Sequence, residues 1–171
     1  GGLSGLVPLV GVVSGRCFAG NAALLGCCDV IIATADANIG MGGPAMIEGG
    51  GLGTFPPEAI GPVSVQAPNG VIDVVVADEA EAVAVAKRYL SYFQGSLEGP
   101  DQWTCADQTL LRDVIPENRR RVYDVRVLLT TLADRSPSGP SEQEAGGSVL
   151  ELRREFGRTM VTALMRIEGR P

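Results

Sequence analysis

The sequence predicts an α/β fold, and three observations support this class. Short β-branched runs bounded by turn-forming residues are typical of buried strands. Other segments carry apolar residues at spacings of three and four, as helices do, and the two kinds of segment alternate along the chain. The 171 residues, 45% of them hydrophobic, are enough for one core or for one core and the beginning of another. We therefore expect one to two domains.

The first half of the chain contains the clearest elements. Leu9–Val13 is β-branched and lies between a proline and a Ser-Gly pair, which predicts a buried strand that enters a tight turn. Small apolar residues over 22–28 predict a helix buried on most of its faces. Asp29–Ala33 predicts a second buried strand. Residues 40–53 hold seven glycines, which indicates a loop with unusual backbone angles or one that a ligand approaches closely.

The second half begins with a third predicted strand at Val71–Val76. Asp78 followed by Glu81 has the spacing of a capping box, which predicts a helix from Asp78 to about Phe93. A shorter helix is predicted from Val122 to about Ala133. The apolar spacing within the first of these helices predicts a buried face made of Val83, Ala86, Tyr89, Leu90 and Phe93.

Composition also predicts the domain organisation. Residues 136–147 are rich in Ser, Pro, Gly and Glu, which is typical of an exposed linker. We expect residues 1–135 to belong to one domain and residues 148–171 to begin a second, with Val149–Arg170 forming strand, turn and strand.

Charge and cysteine content exclude several functions. The formal net charge is −6 and there is no histidine, so no basic face is available for a nucleic acid. The four cysteines lack the spacing of a zinc site, so we predict free thiols and no metal. No apolar run approaches the roughly 20 residues that span a bilayer, and the start of the chain lacks the basic residues of a signal peptide. These features predict a soluble, cytoplasmic protein without a membrane partner.

The segment Ser14–Ala23 is a turn of small residues between a predicted strand and a predicted helix. Such a turn can direct backbone N–H groups into a pocket at the start of the helix and so form an oxyanion hole. A tight strand-to-helix turn also needs small residues for packing alone, and the turn by itself leaves both interpretations open. The absence of histidine excludes a Ser-His-Asp or Cys-His hydrolase, and with no histidine to activate it we interpret Cys17 as a packing residue.

Read together with the segments that follow it, the turn resembles that of the crotonase superfamily. Members of that superfamily combine an A-G-x-A turn, a C-D-x-x-I-A strand and an A-x-I/F-G segment, and the matching residues here are Ala19–Ala22, Cys28–Ala33 and Ala37–Gly40. Further segments along nearly the whole chain resemble the β-type carboxyltransferases of propionyl-, methylcrotonyl- and acetyl-CoA carboxylases. They are Gly43-Pro44, Ile60-Gly61, Asn69–Asp73, the helix from Asp78, Ile115–Asn118, Tyr123–Arg126, Glu151-Leu152, Phe156 and Arg166–Arg170.

The resemblance implies a crotonase-like (ClpP/crotonase) spiral fold, of which this chain holds part. It implies a carboxyltransferase component of a biotin-dependent acyl-CoA carboxylase in fatty acid metabolism. The first domain would bind acyl-CoA and the second would bind carboxybiotin. The proteins of this family work with biotin carboxylase and biotin carboxyl carrier components, and their carboxyltransferase domains form homo-oligomers.

The resemblance also implies roles for individual residues. The backbone amides of Gly20 and Asn21 would hold the thioester oxygen while an enolate forms. The enolate then attacks CO2 released from carboxybiotin, whose ureido nitrogen takes the α-proton. Such a mechanism depends on electrostatic stabilisation by backbone donors, so it needs no histidine. The residues expected to bind the substrate are Arg16, Phe18, Ala19, Gly42, Gly43 and Pro44.

The sequence departs from the family at two positions. Asn21 stands where a second glycine is more common, so a Cβ crowds the approach to that amide. Around Val63–Gln66 the family usually has a histidine, and none is present here. The upstream strands and the second oxyanion hole also lie outside this sequence, so we expect the isolated chain not to transfer a carboxyl group.

Two alternatives remain at this stage. A biotin-free crotonase-type hydratase or decarboxylase would need a carboxylate or histidine on the helix after the turn, and residues 22–26 contain neither. A truncated, non-catalytic chain that retains the fold as a CoA-binding or assembly module is favoured by the short length and disfavoured by the retained turn.

Overall fold

The structure is a computed structural model, and it describes residues 2–97, 103–135, 147–157 and 160–171. The chain forms two compact units. The first consists of Gly1–Leu90 with Arg153–Met160, and the second consists of Ser91–Leu152 with Val161–Pro171. Most of the predicted linker, residues 136–146, lies outside the described residues, and the division into domains on either side of it remains a prediction. Among the described residues, no helix has the length and apolar character needed to cross a lipid bilayer.

The first unit alternates strands and helices, as the sequence predicts. Its strands are β1 (Val10–Val13), β2 (Arg16–Phe18), β3 (Val30–Thr34), β4 (Asn38–Gly40) and β5 (Val74–Val76). Its helices are α1 (Gly20–Leu25), α2 (Pro44–Gly49), α3 (Val63–Gln66) and α4 (Glu79–Ser91), of which the last ends at the boundary of the unit.

The main sheet has three parallel strands in the order β1-β3-β5. Val12 pairs with Ile32, and Ile32 pairs with Val74, so β3 is the central strand. All five residues of β3 are buried, which explains why its sequence is apolar almost throughout instead of alternating. The three strands that the sequence predicts are therefore confirmed, with the third shortened to its last three residues.

The core of the first unit packs around this sheet. Ile32 and Val30 are completely buried, and Ile72 is 2% exposed. Burying a side chain of this size stabilises a fold by about 1.5–3 kcal/mol. The contiguous apolar cluster consists of Val13, Ala22, Leu25, Ile31, Ala33, Ala37, Ile39, Ala67 and Ile72.

The capping box before α4 is present. The Asp78 carboxylate accepts a hydrogen bond from the Glu81 amide at 2.9 Å, and the Glu81 carboxylate accepts one from the Ala77 amide at 2.7 Å. Asp78 is thus the cap of the helix, which begins at Glu79.

The predicted buried face of α4 is wrong at two positions. Val83 is 49% exposed, whereas Ala82 is completely buried and Tyr89 is 5% exposed. Phe93 is 54% exposed and lies beyond the end of the helix at Ser91. Alanine at alternate positions makes the apolar period of this helix ambiguous. The small side chain of Ala82 allows close packing, and Ala82 is buried where the sequence predicts Val83.

The second unit contains two short helices and a strand pair. Helices α5 (Leu111–Val114) and α6 (Val125–Leu132) are followed by β6 (Leu150–Leu152) and β7 (Thr162–Leu164). Strands β6 and β7 are antiparallel, which confirms the predicted strand, turn and strand. Helix α6 begins at a cap in which the Asp124 carboxylate accepts a hydrogen bond from the Arg126 amide at 2.9 Å.

Buried polar groups hold the second unit together. The Asp134 carboxylate accepts hydrogen bonds from the amides of Glu168 and Gly169 at 2.8 and 2.7 Å. The guanidinium of Arg166 lies 5.5 Å from the centre of the Tyr92 ring. It also donates to three carbonyl oxygens, those of Gly95 at 2.9 Å, Gly169 at 3.0 Å and Ser91 at 2.5 Å.

Candidate functional site

The turn that leads into α1 is built around Ala19. This residue has φ 53° and ψ −121°, a conformation that costs a non-glycine residue of order 1–3 kcal/mol. Two hydrogen bonds hold it in place, since its amide donates to the Gly40 carbonyl at 3.1 Å and its carbonyl accepts from the Ala23 amide at 3.0 Å. A strained residue fixed from both sides is typical of a functional turn.

The sequence indicated one continuous turn from residue 14 to the helix, and the structure shows a shorter one. Residues Arg16–Phe18 form β2, which pairs in parallel with β4. Phe18 lies opposite Gly40 in this ladder, so the turn begins immediately after a paired residue. The ladder thereby determines the direction in which the chain enters α1.

The two predicted oxyanion donors are the first two residues of α1. Gly20 and Asn21 are both exposed, and their backbone N–H groups have no acceptor among the described residues. A side chain added at Gly20 would meet nothing within 4 Å, so the approach to this part of the turn is open. Exposed, unpaired amides on a fixed turn can donate hydrogen bonds to an oxygen atom that acquires negative charge.

Phe18 brings the turn and the glycine-rich segment together. A Cβ atom added to Gly43 would lie 3.6 Å from the Phe18 ring, so the ring packs against the Gly43 backbone. Gly43 caps α2 and Pro44 is its first residue. Gly42 lies beside Met46, whose sulfur would be 3.4 Å from an added Cβ. Residues 42–44 are all half-buried.

The sequence indicated a loop over residues 40–53, but the structure contains a helix there. Helix α2 occupies Pro44–Gly49, and the unusual backbone angles are confined to Gly51 and Gly53, whose φ values are 71° and 102°. Proline at the first helical position favours this start, because its fixed φ suits a helix and its missing N–H would have had no partner.

Arg16 does not present a free guanidinium. It forms an ion pair with Glu58, a residue that the sequence did not single out. The pKa of the Glu58 carboxyl is lowered, mainly by its own backbone amide and further by Arg16. Both side chains are more than half exposed, so the pair is accessible to a competing anion.

A cleft of about 360 Å³ lies beside the turn. Burial raises the pKa of the Cys17 and Cys28 thiols, so both stay protonated near neutral pH. This agrees with the interpretation of Cys17 as a packing residue, since the thiolate is the reactive form. Two of the predicted site residues, Arg16 and Asn21, line the cleft, whereas Phe18, Ala19, Gly20 and residues 42–44 do not. The lining residues are Gly11, Val12, Val13, Ser14, Arg16, Cys17, Asn21, Leu24, Leu25 and Cys28.

Sequence reasoning missed the residues that support β4. Asn38 is buried, and its side chain donates to the carbonyls of Glu58 and Ile60 at 3.0 and 3.1 Å. The side chain of Gln66 donates to the Ile39 carbonyl at 2.6 Å. Polar side chains that bond to distant backbone leave no periodic pattern. The one available signal was Gln66 itself, at a place where the sequence departs from the family.

The parallel sheet, the helix α1 between the parallel strands β1 and β3, and the fixed turn with free amides are typical of an α/β protein of the crotonase-like class. The chain belongs to the carboxyl transferase domain family, whose model matches residues 2–171. Both the family and the fold class expected from the sequence are confirmed.

Curated relatives agree with this assignment. The 12S subunit of methylmalonyl-CoA carboxyltransferase from Propionibacterium freudenreichii subsp. shermanii is 29% identical over 98% of this chain and 31% of its own length. The propionyl-CoA carboxylase beta chain from Rhodococcus erythropolis is 27% identical over 98% of this chain and 34% of its own length. The chain thus spans about a third of the curated relatives it matches.

Two solved structures are also similar. One is described as a single-chain, multi-domain long-chain acyl-CoA carboxylase. It is 60% identical, has a TM-score of 0.85, and is matched over 99% of this chain and 16% of its own. The other is the transcarboxylase 12S hexamer with hydrolysed methylmalonyl-coenzyme A bound. It is 25% identical, has a TM-score of 0.76, and is matched over 99% of this chain and 32% of its own.

Proposed function

We propose that this chain supplies the acyl-CoA side of a carboxyltransferase within a biotin-dependent acyl-CoA carboxylase. One observation carries the proposal, namely the pair of unpaired, exposed amides of Gly20 and Asn21 on a turn fixed by Ala19. Membership of the carboxyl transferase domain family supplies the type of reaction.

The proposed chemistry uses backbone donors. The thioester oxygen of the substrate accepts hydrogen bonds from the two amides, and these bonds strengthen as the α-proton leaves and the oxygen becomes an enolate oxygen. Losing one donor of this kind costs on the order of 10²–10³ in rate. Asn21 is one of the residues that line the cleft beside the same turn.

Biotin supplies the carboxyl group when it is bound, and we assign its site to a partner domain or subunit. Only one turn among the described residues has a non-glycine residue with positive φ leading into a helix; the other two such residues, Arg153 and Glu168, do not precede one. No step is therefore assigned to biotin on this chain. Biotin carboxylase and biotin carboxyl carrier components are the partners that this arrangement requires.

We further propose a long acyl chain for the substrate. The relative with 60% identity is described as a long-chain acyl-CoA carboxylase. The cleft beside the turn is lined by apolar side chains of Val12, Leu24 and Leu25, which would bury part of such a chain. Arg16, at the same cleft, would exchange Glu58 for a phosphate of CoA, because a guanidinium binds either group through the same N–H donors.

The proposed function includes association with further domains and a cytoplasmic location. Leu6 and Leu52 are each more than 70% exposed, and association with further carboxyltransferase domains would bury such side chains. All four cysteines are free thiols, as in proteins of a reducing compartment, and this supports a cytoplasmic location.

The test is a binding titration with decanoyl-CoA and with free CoA. Gly20→Pro removes one of the two amide donors, whereas the matched control Gly20→Ala retains it and adds a Cβ that meets nothing within 4 Å. We expect Gly20→Pro to weaken decanoyl-CoA binding about tenfold, the effect of one hydrogen bond of about 1.4 kcal/mol. Free CoA should bind equally well to both variants.

Other outcomes would change the proposal. Equal affinity of decanoyl-CoA for the wild type and for Gly20→Pro would remove the oxyanion role. The absence of any CoA binding by the wild type would favour a non-catalytic assembly module.

A further inference from the structure

Among the described residues, strand β4 pairs with only one other strand, β2. On that side the Asn38 amide donates to the Gly15 carbonyl at 2.9 Å. The groups of the next residue have other partners, since the Ile39 amide donates to the Gly61 carbonyl at 2.8 Å and the Ile39 carbonyl accepts from the Gln66 side chain at 2.6 Å. One backbone carbonyl and one side-chain amide thus replace a neighbouring strand.

This edge is connected to the oxyanion turn through one residue. Gly40 follows Ile39, and its carbonyl accepts the hydrogen bond from the Ala19 amide at 3.1 Å. Ala19 immediately precedes the two proposed donors. The position of the β4 backbone therefore determines where the amides of Gly20 and Asn21 lie.

Gln66 makes the one contact with β4 in this arrangement that a side-chain substitution can remove. Gly61 lies so close to β4 that an added Cβ would be 1.8 Å from the Ile39 oxygen. Gly61 therefore contacts β4 through its backbone alone. Asn38 bonds to the segment Glu58–Ile60 and not to β4 itself. The Gln66 side chain is the one described side-chain donor that bonds directly to the Ile39 carbonyl.

We propose that Gln66 is a positioning residue for the oxyanion turn, which it holds through Ile39, Gly40 and Ala19. The inference rests on the proposed function of Gly20 and Asn21. Without the Gln66 amide, the Ile39 carbonyl loses its partner, β4 shifts toward another donor, and the two amides leave the geometry that suits a thioester oxygen. A shift of about 1 Å at such a site is enough to cost on the order of 10²-fold in rate.

The experiment measures the bound substrate directly. Decanoyl-CoA with a ¹³C-labelled thioester carbonyl is bound to the protein, and the carbonyl stretching band is recorded by infrared difference spectroscopy. Hydrogen bonds from the two amides lower this frequency. Gln66→Met keeps the length of the side chain and removes the donor, so the lowering should fall by half or more. Decanoyl-CoA should bind about tenfold more weakly, as expected for one ordinary hydrogen bond, while free CoA binds as before.

The matched control is Gln108→Met in the second unit. The Gln108 side chain donates to two backbone carbonyls, those of Ala106 at 3.0 Å and Thr131 at 2.8 Å, so its loss has at least a similar structural cost. It should leave the carbonyl band unchanged. If Gln66→Met does not fold, Gln66→Glu carries the same prediction, because its carboxylate cannot donate at neutral pH.

The outcomes separate the two proposals. If the carbonyl stretching frequency is lowered equally in the wild type and in a folded Gln66 variant, the positioning role of Gln66 is overturned and the proposed oxyanion hole stands. An unperturbed carbonyl band in the wild type overturns the oxyanion hole, and the role of Gln66 with it. A reduced lowering in both Gln66→Met and Gln108→Met shows a general structural effect and also overturns the proposal.

Discussion

The two compact units differ in what fills their interiors. The first has a contiguous apolar cluster around a parallel sheet, and its largest fully buried side chains are Ile32, Ile72 and Val30. In the described part of the second, buried polar side chains are nearly as numerous as buried apolar ones. They are Thr131, Asp134 and Arg166 beside Tyr92, Ala106, Ala133 and Leu150.

This difference determines how each unit responds to substitution. An apolar core loses stability roughly in proportion to the volume removed, because its contacts are many and non-directional. A buried polar group makes hydrogen bonds to only a few partners. When one of these groups is removed, its partners are left buried without a hydrogen bond from protein or water. The second unit should therefore be the more sensitive to replacements that preserve size.

The largest effect is expected for Asp134→Leu. It leaves the partly buried amide of Glu168 and the buried amide of Gly169 without their acceptor. Hydrogen bonds to a charged group contribute about 1.5–3 kcal/mol each, so the free energy of unfolding should fall by roughly 3–6 kcal/mol. Urea denaturation measures this change. The control is Asp107→Leu, which removes the exposed cap of a short 3-10 helix, Gln108–Leu110, in the same unit and should cost about 1 kcal/mol. Equal losses of unfolding free energy in the two variants would show that the buried carboxylate stabilises the second unit no more than an exposed cap does.

The next effect is expected for Ile32→Ala in the first unit. The side chain is completely buried, so its truncation should lower the free energy of unfolding by about 2–5 kcal/mol in the same assay. Ile32→Leu keeps the volume and should cost less than about 1.5 kcal/mol. Val83→Ala, at a 49% exposed position, should change stability by less than about 0.5 kcal/mol. A large loss in Ile32→Leu would mean that the apolar core is as intolerant as the polar one.

A smaller effect is expected where the first unit uses a polar contact. The buried Asp73 carboxylate accepts hydrogen bonds from the Ile31 amide and from Arg153, both at 2.7 Å. The Arg153 side chain is 48% exposed, so Arg153→Met should cost only about 1 kcal/mol. A double-mutant cycle with Asp73→Asn measures the coupling between the two side chains. Lys87→Met, at an exposed position on α4, provides the baseline. A coupling near zero would show that the segment from Arg153 is held by other contacts, such as the hydrogen bond from the Arg153 amide to the Asp73 carbonyl at 2.7 Å.

The smallest effect concerns the ion pair of Arg16 and Glu58. The pKa of Glu58 is lower in the folded chain than in the unfolded one. Its contribution to stability is therefore present above the unfolded pKa of about 4.3 and is lost as the pH falls through the folded value. The difference in Tm between wild type and Glu58→Gln should be small at pH 7 and should vanish in acid. A difference that grows as the pH falls would contradict this assignment.

The sequence predicts the main sheet well and the site poorly, for a physical reason. Strands β1 and β3 are apolar runs in a buried sheet, so their composition alone indicates them. Strands β2 and β4 have three residues each and exist because they pair with one another across about twenty positions of chain, which no local pattern records. The ladder that leads into the proposed oxyanion turn was missed for this reason.

No local pattern in the sequence indicates the roles of the residues at the candidate site either. The roles of Gly20 and Asn21 follow from resemblance to a family and not from spacing, since small residues also suit a plain packing turn. Gln66 bonds to a carbonyl 27 residues away, so its role depends on tertiary structure. The pairing of Arg16 with Glu58, 42 residues apart, is likewise set by the fold.

Gly61 shows how strictly a position can be constrained without any part in chemistry. Its φ is 55°, and an added Cβ would lie 1.8 Å from the Ile39 oxygen and 2.9 Å from the Gln66 amide nitrogen. In a library containing every amino acid at this position, glycine alone should survive selection for the folded state. At Gly49, where a Cβ would meet nothing within 4 Å, substitution should be tolerated. Mutational intolerance in this protein thus marks the support of the site as strongly as the site itself.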